Sequence, residues 1–89
     1  MSFDTARAYR LHPQVALRPE PFGALAYHYG NRKLVFLRAP ELVDLVRDLD
    51  RHPSAEAALA GVPDARRPAF RKALASLSGS DMITAADHD

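Results

Sequence analysis

The sequence predicts one α+β domain in which a three-stranded antiparallel sheet precedes three helices, a winged helix-turn-helix-like fold of order βββααα. Apolar residues recur with a period of two up to Arg38, as in strands, and with a period near 3.6 after Pro40, as in amphipathic helices. A chain of 89 residues has room for one such domain. Strands followed by helices favour helices packed on one face of the sheet.

The chain begins with an arm and ends with a tail. Residues 1–11 contain no glycine or proline, and we expect a short helical arm there, before a folded domain at residues 12–84. Residues 81–84 are expected to return to the sheet, and residues 85–89 to form a disordered tail.

The first strand, Val15 to Arg18, alternates apolar and polar residues. We expect it to end at Pro19, because proline cannot donate a hydrogen bond to a neighbouring strand. This strand therefore belongs at an edge of the sheet.

The second and third strands form a predicted β-hairpin between Ala24 and Arg38. Gly30-Asn31 is a typical two-residue hairpin turn between runs of apolar and aromatic residues. The turn sets the register. The opposed pairs it predicts include Tyr27 with Leu34, Ala26 with Val35, Leu25 with Phe36 and Ala24 with Leu37.

The third strand, Lys33 to Arg38, is apolar on both faces and contains neither proline nor glycine. Such a strand is either covered or used as a docking edge for another chain. The N-terminal arm and a second copy of the protein are the alternatives that would cover it, and the sequence leaves open which face is core.

Three amphipathic helices follow the hairpin. The first starts at Pro40, which is favoured at the first helical position, and ends near Pro53. The second, Ala55 to Ala60, has Ser54 as its N-cap. Gly61 is expected to end this second helix. The core-facing residues of the first helix are Leu42, Leu45, Val46 and Leu49.

The third helix is predicted from about Ala65 to Gly79, with Asp64 as its cap. Pro68 is tolerated because it lies in the first turn. The core-facing residues of this helix are Phe70, Ala73, Leu74 and Leu77.

Composition favours a binding module over an enzyme. The chain is 47% hydrophobic and 26% charged, as folded domains are, and its size leaves little space for a catalytic cavity. A net charge of +1 gives no strong reason to expect nucleic acid or membrane binding. No cysteine is present and no apolar run approaches the roughly 20 residues that span a bilayer, so we expect a cytoplasmic protein.

The sequence offers no catalytic or metal-binding set. The four histidines lie in different predicted elements without zinc-ligand spacing, and no glycine-rich phosphate loop is present. The serines near the third helix end lack an adjacent activating base. We therefore predict no catalytic residue, no metal site and no cofactor.

Two segments carry a resemblance to a known family. They are LRPEPFGAL (Leu17 to Leu25) beside RKLVFL (Arg32 to Leu37), with a Leu-rich helix and ARRPAFRKALASL after them. Over roughly Leu11 to Ile83 the chain resembles the peptide chaperones of mycofactocin biosynthesis, which are PqqD-like RiPP recognition elements. The resemblance implies a domain that binds the leader of a ribosomally synthesised precursor peptide and presents it to a radical S-adenosylmethionine (SAM) maturase.

The resemblance also implies a site. In such domains the leader adds as an antiparallel strand beside the third strand, in a groove completed by the third helix. Carried over by position, the precursor-binding residues are Lys33, Leu34, Val35, Phe36, Leu37, Arg38, Arg67, Phe70, Arg71 and Leu74. A maturase contact is expected at the exposed turn, with Arg18, Glu20 and Phe22.

The main alternative is a winged-helix DNA-binding protein. Its basis is the helix-turn-helix order and the basic start of the third helix, with Arg66, Arg67, Arg71 and Lys72. The near-neutral total charge argues against it. A homodimer, in which the third strand of one copy pairs with the third strand of another, is compatible with the peptide-binding function.

Overall fold

The computed structural model describes residues 3–86 and shows the predicted fold class, an α+β domain whose three-stranded antiparallel sheet is followed by helices. The strands of this sheet, in the order β2-β3-β4, are β2 (Val15–Glu20), β3 (Gly23–His28) and β4 (Leu34–Leu37). The helices are α1 (Pro40–Arg47), a 3-10 turn (Leu49–Arg51), α2 (Ala55–Leu59) and α3 (Arg67–Gly79). A separate two-stranded sheet pairs β1 (Tyr9–Leu11) with β5 (Ile83–Ala85).

The predicted helical arm is wrong within the described residues, because residues 5–7 form a turn and Tyr9–Leu11 form the paired strand β1. Tyr9 of β1 lies opposite Ala85 of β5. The carbonyls of Thr5 and Arg7 accept hydrogen bonds from the first N–H groups of α2, both at 2.8 Å. These donors have no partner inside their own helix, so the arm supplies one. Of the predicted tail, Ala85 belongs to β5, and residues 87–89 lie outside the described residues.

The predicted register of the β3–β4 hairpin is confirmed, but its turn is longer than two residues. Tyr27 faces Leu34, and every other predicted pair within the strands is also observed. The loop closes with a hydrogen bond from Arg32 N–H to the His28 carbonyl (2.8 Å), and Arg32 has a positive φ of 63°. The longer loop leaves the register unchanged because residues are added equally on both sides.

The His28 side chain holds this loop in place. Its ring is 4% exposed, and Nδ1 accepts hydrogen bonds from the N–H groups of Gly30 (3.0 Å) and Asn31 (3.1 Å). Gly30 fits tightly here, since a Cβ would collide with His28 and Gln14.

The first sheet strand continues through Pro19 to Glu20, beyond the predicted end. Tyr29 N–H donates to the Gln14 carbonyl, and pairs alternate between bonded and non-bonded along two antiparallel strands. Pro19 and Ala24 therefore form a non-bonded pair. The nitrogen of Pro19 faces away from β3. The prediction that this strand lies at an edge is confirmed, and the edge is interrupted by Pro19.

The first two helices follow the predictions closely. α1 starts at Pro40, and its predicted core-facing residues are buried. The Ser54 hydroxyl accepts the Ala57 N–H at 3.0 Å, which confirms the predicted N-cap of α2. Helix α1 ends at Arg47, earlier than predicted, and a 3-10 turn follows it.

The third helix begins later than predicted and has no side-chain cap. The N–H groups of Arg66 and Arg67 donate to the Pro63 carbonyl, while the Asp64 carboxylate pairs with the Arg67 guanidinium at 2.8 Å. At the other end Asp81 takes the left-handed conformation (φ 61°), and Met82 N–H donates to the Leu77 carbonyl.

One hydrophobic core lies between the inner face of the three-stranded sheet and the helices, and it extends to β1 and β5. Its largest fully buried side chains are Leu37, Leu49, Leu59, Leu74, Met82, Ile83 and Val46. Within residues 3–86, no helix is long and apolar enough to cross a membrane.

Gly23→Ala is expected to destabilise the fold. Gly23 has φ 147°, and a Cβ there would collide with the Leu37 carbonyl oxygen as the chain leaves β4. Strain and collision together should lower the free energy of unfolding by about 2 kcal/mol or more, measured by urea denaturation. Gly79→Ala is the matched control, because no atom lies within 4 Å of its Cβ, and its stability should stay within about 1 kcal/mol. Equal stability of the two variants would contradict this account.

Candidate functional site

The free edge of β4 presents unused backbone groups. His28 N–H donates to the Lys33 carbonyl at 3.0 Å, so these residues form a hydrogen-bonded pair. By alternation Ala26–Val35 is bonded too, while Leu34 and Phe36 turn their N–H and C=O groups away from β3. In the described part of the chain no strand pairs with that edge.

The two faces of β4 differ in burial. Leu37 is 1% exposed and Val35 is half-buried against the core, whereas Leu34 and Phe36 are 57% and 53% exposed. Val35 and Leu37 therefore face the core, and Leu34 and Phe36 face outwards. Lys33 and Arg38 at the two ends of the strand are exposed.

Helix α3 is anchored near both ends of β4. The Asn31 side-chain amide, just before β4, donates to the Ser80 carbonyl at the end of α3 (3.3 Å). Arg66, just before α3, pairs with Glu41, just after β4, at 3.3 Å. The Glu41 backbone N–H, and next the Arg66 charge, lower the pKa of Glu41 below its ordinary value, so it is ionised at neutral pH. The helix thus runs antiparallel to β4.

The flank of α3 between these two anchors carries small side chains. At 100° per residue, Arg66 and Ser80 lie on the same side of the helix as Ala69, Ala73 and Ser76. We call these three residues the small flank. Ala69 and Ser76 are exposed and Ala73 is half-buried.

The apolar residues predicted to wall the groove lie in the core. Phe70 is 6% exposed and Leu74 is fully buried. Their spacing on the inner face of α3 explains this burial, since that face contributes to the hydrophobic core. Phe70 and Leu74 therefore present almost no surface to a ligand in this structure.

Arg67 closes the end of α2. Its Nε donates to the Leu59 carbonyl at 3.0 Å, and an Nη atom donates to the carbonyls of Val62 (2.7 Å) and Ala60 (3.4 Å). Its other Nη atom pairs with Asp64. The carbonyls at a helix C-terminus lack partners within the helix, and one guanidinium satisfies several of them here.

Arg71 lies on the side of α3 that faces α2 and the N-terminal segment. It lines a surface groove with Lys72 and the N-terminal segment, including Asp4 and Thr5, and its guanidinium is 3.9 Å from the Glu56 carboxylate. Both arginines predicted to form a cationic rim, Arg67 and Arg71, thus have carboxylate partners outside β4 in this structure.

The residues expected to contact a maturase lie on the outward face of the sheet. Arg18 pairs with Glu20 at 3.2 Å, and the Phe22 ring lies 5.7 Å from the Phe36 ring. The same face includes Leu25 and Tyr27, which sequence reasoning placed opposite Phe36 and Leu34 but did not assign to a site. The small flank was also missed, although its spacing along one helical face was a readable signal.

The histidines do not form a metal site among the described residues. No group of three or more histidine, aspartate or glutamate side chains is placed to hold an ion. His12 instead packs against His28 at a tilt, with ring centroids 4.4 Å apart, and both accept backbone hydrogen bonds.

Comparison with known proteins identifies a family. The model of the Peptide chaperone MftB family matches residues 8–84. The chain belongs to this family. A peptide chaperone MftB from Mycobacterium ulcerans is 47% identical, with 99% of the chain and 83% of the relative covered.

Two further peptide chaperones MftB are similarly close. That from Mycobacterium tuberculosis is 48% identical over 91% of the chain and 76% of the relative. That from Mycolicibacterium smegmatis is 48% identical over 93% of the chain and 83% of the relative. No solved structure matches the chain.

Arg67→Ala is expected to destabilise the protein far more than Arg71→Ala. Removing the guanidinium of Arg67 takes this donor from the Ala60 and Val62 carbonyls, while the Leu59 carbonyl keeps the Val62 N–H, and the loss should cost about 1.5 to 3 kcal/mol. Arg71 makes one long surface ion pair, and its loss should cost less than about 1 kcal/mol. Chemical denaturation of both variants measures the difference, and similar losses would refute the structural role of Arg67.

Proposed function

We propose that this protein binds the leader of a ribosomally synthesised precursor peptide by β-strand addition to β4 and presents it to a radical SAM maturase in mycofactocin biosynthesis. The observation that carries the proposal is the outward N–H and C=O groups of Leu34 and Phe36, on an edge with no neighbouring strand among the described residues. Membership of a peptide chaperone family supports the same role and favours a binding protein over an enzyme.

Backbone pairing alone does not bind a leader. The four outward groups of Leu34 and Phe36 allow up to four new hydrogen bonds, each contributing about 0.5 to 1.5 kcal/mol net. Association costs on the order of 4 to 15 kcal/mol, with the ordering of a flexible peptide in addition. Side-chain burial must therefore supply the remainder.

Two sets of contacts for leader side chains lie beside the edge. Alternate residues of an added strand face opposite ways, so one set packs towards the small flank of α3 and the other beside Leu34 and Phe36. Burying two or three apolar side chains contributes about 1.5 to 3 kcal/mol each and is needed for the complex to reach micromolar affinity. The small flank favours bulky apolar leader residues on that side.

Charge plays a secondary part in the proposed binding. Lys33 and Arg38 flank the edge and favour carboxylates in the leader, while Arg67 and Arg71 are engaged elsewhere. Such exposed pairs contribute about 0 to 1 kcal/mol each. Salt should accordingly weaken leader binding modestly.

The DNA-binding alternative gains no support from the structure. Three of the four cations near the start of α3 pair with carboxylates, namely Arg66 with Glu41, Arg67 with Asp64 and Arg71 with Glu56. These contacts weaken the basic surface that a recognition helix needs.

Leu34→Pro should abolish leader binding that Leu34→Ala retains in part. Both variants shorten the side chain, but only proline removes the outward N–H and places a ring where the leader backbone would lie. An edge position whose N–H faces solvent tolerates proline in the folded protein. We expect the leader affinity of Leu34→Pro to be at least tenfold below that of Leu34→Ala, measured by titration with a fluorescent leader peptide.

Circular dichroism must first show that both variants are folded. Equal affinities in the two folded proteins would show that the leader does not pair with β4. Val35→Pro is a poorer test, because the Val35 N–H faces β3 and its loss should disrupt the hairpin itself.

A reconstituted reaction tests the presenting role. The isolated protein should show no turnover, and with purified maturase and precursor it should raise product formation by increasing the local concentration of precursor. The measurement is the initial rate of precursor modification near the dissociation constant of the complex. Rates that are equal with and without the protein would exclude presentation.

A further inference from the structure

The outward face of the three-stranded sheet is an apolar patch. Two rows cross the strands, Arg18–Leu25–Phe36 and Ala16–Tyr27–Leu34, because residues directly opposite each other share a face. Within residues 3–86, the exposed large hydrophobic residues are Phe22, Tyr29, Leu34 and Phe36. All four lie on or beside this face. We call these four, with Leu25 and Tyr27, the outer patch.

The outer patch is rigidly organised. Phe22 contacts Phe36, and Tyr27 meets Tyr29 edge to face with ring centroids 5.1 Å apart. Its residues lie on a hydrogen-bonded hairpin or beside it, so few side chains lose freedom on binding. A contiguous apolar surface of aromatic residues on a folded domain is typical of a protein interface.

The margin of the patch is cationic. Arg38 lies over the Phe36 ring at 5.3 Å from its centroid, and Arg18 and Arg32 are exposed at the other margins. Glu20 is the carboxylate on this face, and it is already paired with Arg18. Among the described residues, neither Arg32 nor Arg38 has a carboxylate partner. A second copy docked face to face would bring like charges together, whereas a partner with an acidic margin would fit.

We propose that the outer patch is the docking surface for the maturase, through an apolar area of that enzyme surrounded by acidic residues. This inference rests on the proposed function and adds the place where the enzyme binds. The leader uses the backbone edge of β4, and the maturase uses the outward side chains of the same hairpin. One strand thereby serves both partners.

Leader binding enlarges the surface that the maturase contacts. An added strand extends both rows of the outer patch, because its outward residues lie beside Leu34 and Phe36. The maturase then contacts protein and leader together. Each partner therefore raises the affinity for the other, by the same factor.

The test uses a double variant away from the β4 edge, Phe22→Ser with Tyr29→Ser. Its affinity for the purified mycofactocin radical SAM maturase, without leader, should fall at least tenfold relative to wild type. Its affinity for a synthetic leader peptide should stay within about threefold, since the β4 backbone is unchanged. For the wild type, saturating leader should raise the maturase affinity several-fold.

Two charge-reversal variants test the role of the cationic margin, and one is the control for the other. Arg18→Glu reverses a margin charge of the outer patch and should slow maturase association several-fold at low salt. Arg47→Glu makes the same change on the exposed side of α1 and should leave the rate unchanged. Equal rates for the two variants would contradict the charge argument.

The outcomes separate this inference from the proposed function. A folded double variant that binds the maturase as tightly as wild type overturns the docking surface. Failure of wild type to bind leader overturns the proposed function, while the maturase titration still decides the docking surface. A dimer, or binding to anionic vesicles or single-stranded DNA, that the double variant loses while its maturase affinity persists assigns the patch to those partners instead and overturns the proposal.

Discussion

The register of the β3–β4 hairpin is the constraint on which the rest of the structure depends. The closing bond between His28 and Lys33 decides which backbone groups of β4 are used inside the sheet and which face outwards. It also decides which side chains are core, because a slip of one residue would exchange the faces. His28 and Gly30 hold the loop that fixes this choice. A buried histidine at a hairpin loop thus helps to fix which backbone groups of the neighbouring strand face the open edge.

Much of this hairpin could be predicted from sequence, and the reasons are local. The period of two and the turn residues set the pairing of Tyr27 with Leu34, and Pro40 and Ser54 mark helix starts through their own backbone preferences. The pairing of β1 with β5 could not be predicted, because its two strands lie more than seventy residues apart and each is only three residues long.

The candidate site likewise has a part that could be predicted from sequence and a part that could not. The edge strand could be recognised from its composition, whereas the roles of the arginines on α3 depend on contacts between elements. Arg67 and Arg71 look equivalent in the sequence, yet one satisfies the carbonyls after α2 and the other faces the N-terminal segment. A basic cluster in sequence does not show which of its members are free to bind. Phe70 and Leu74 illustrate the same point for apolar residues, since a helix face can be core or groove wall until its neighbours are known.

The two edges of the three-stranded sheet are chemically unequal, and this difference limits how many strands can join. On the β2 side the nitrogen of Pro19 points outwards and has no hydrogen to donate, whereas the β4 side has its full set of donors and acceptors. A chain with two open edges can link its neighbours into an endless ribbon. Here growth can proceed in one direction alone, so the expected stoichiometry is one peptide per protein. Pairing of two proteins through β4 would occupy the open edge of each, so the assembly would stop at a dimer.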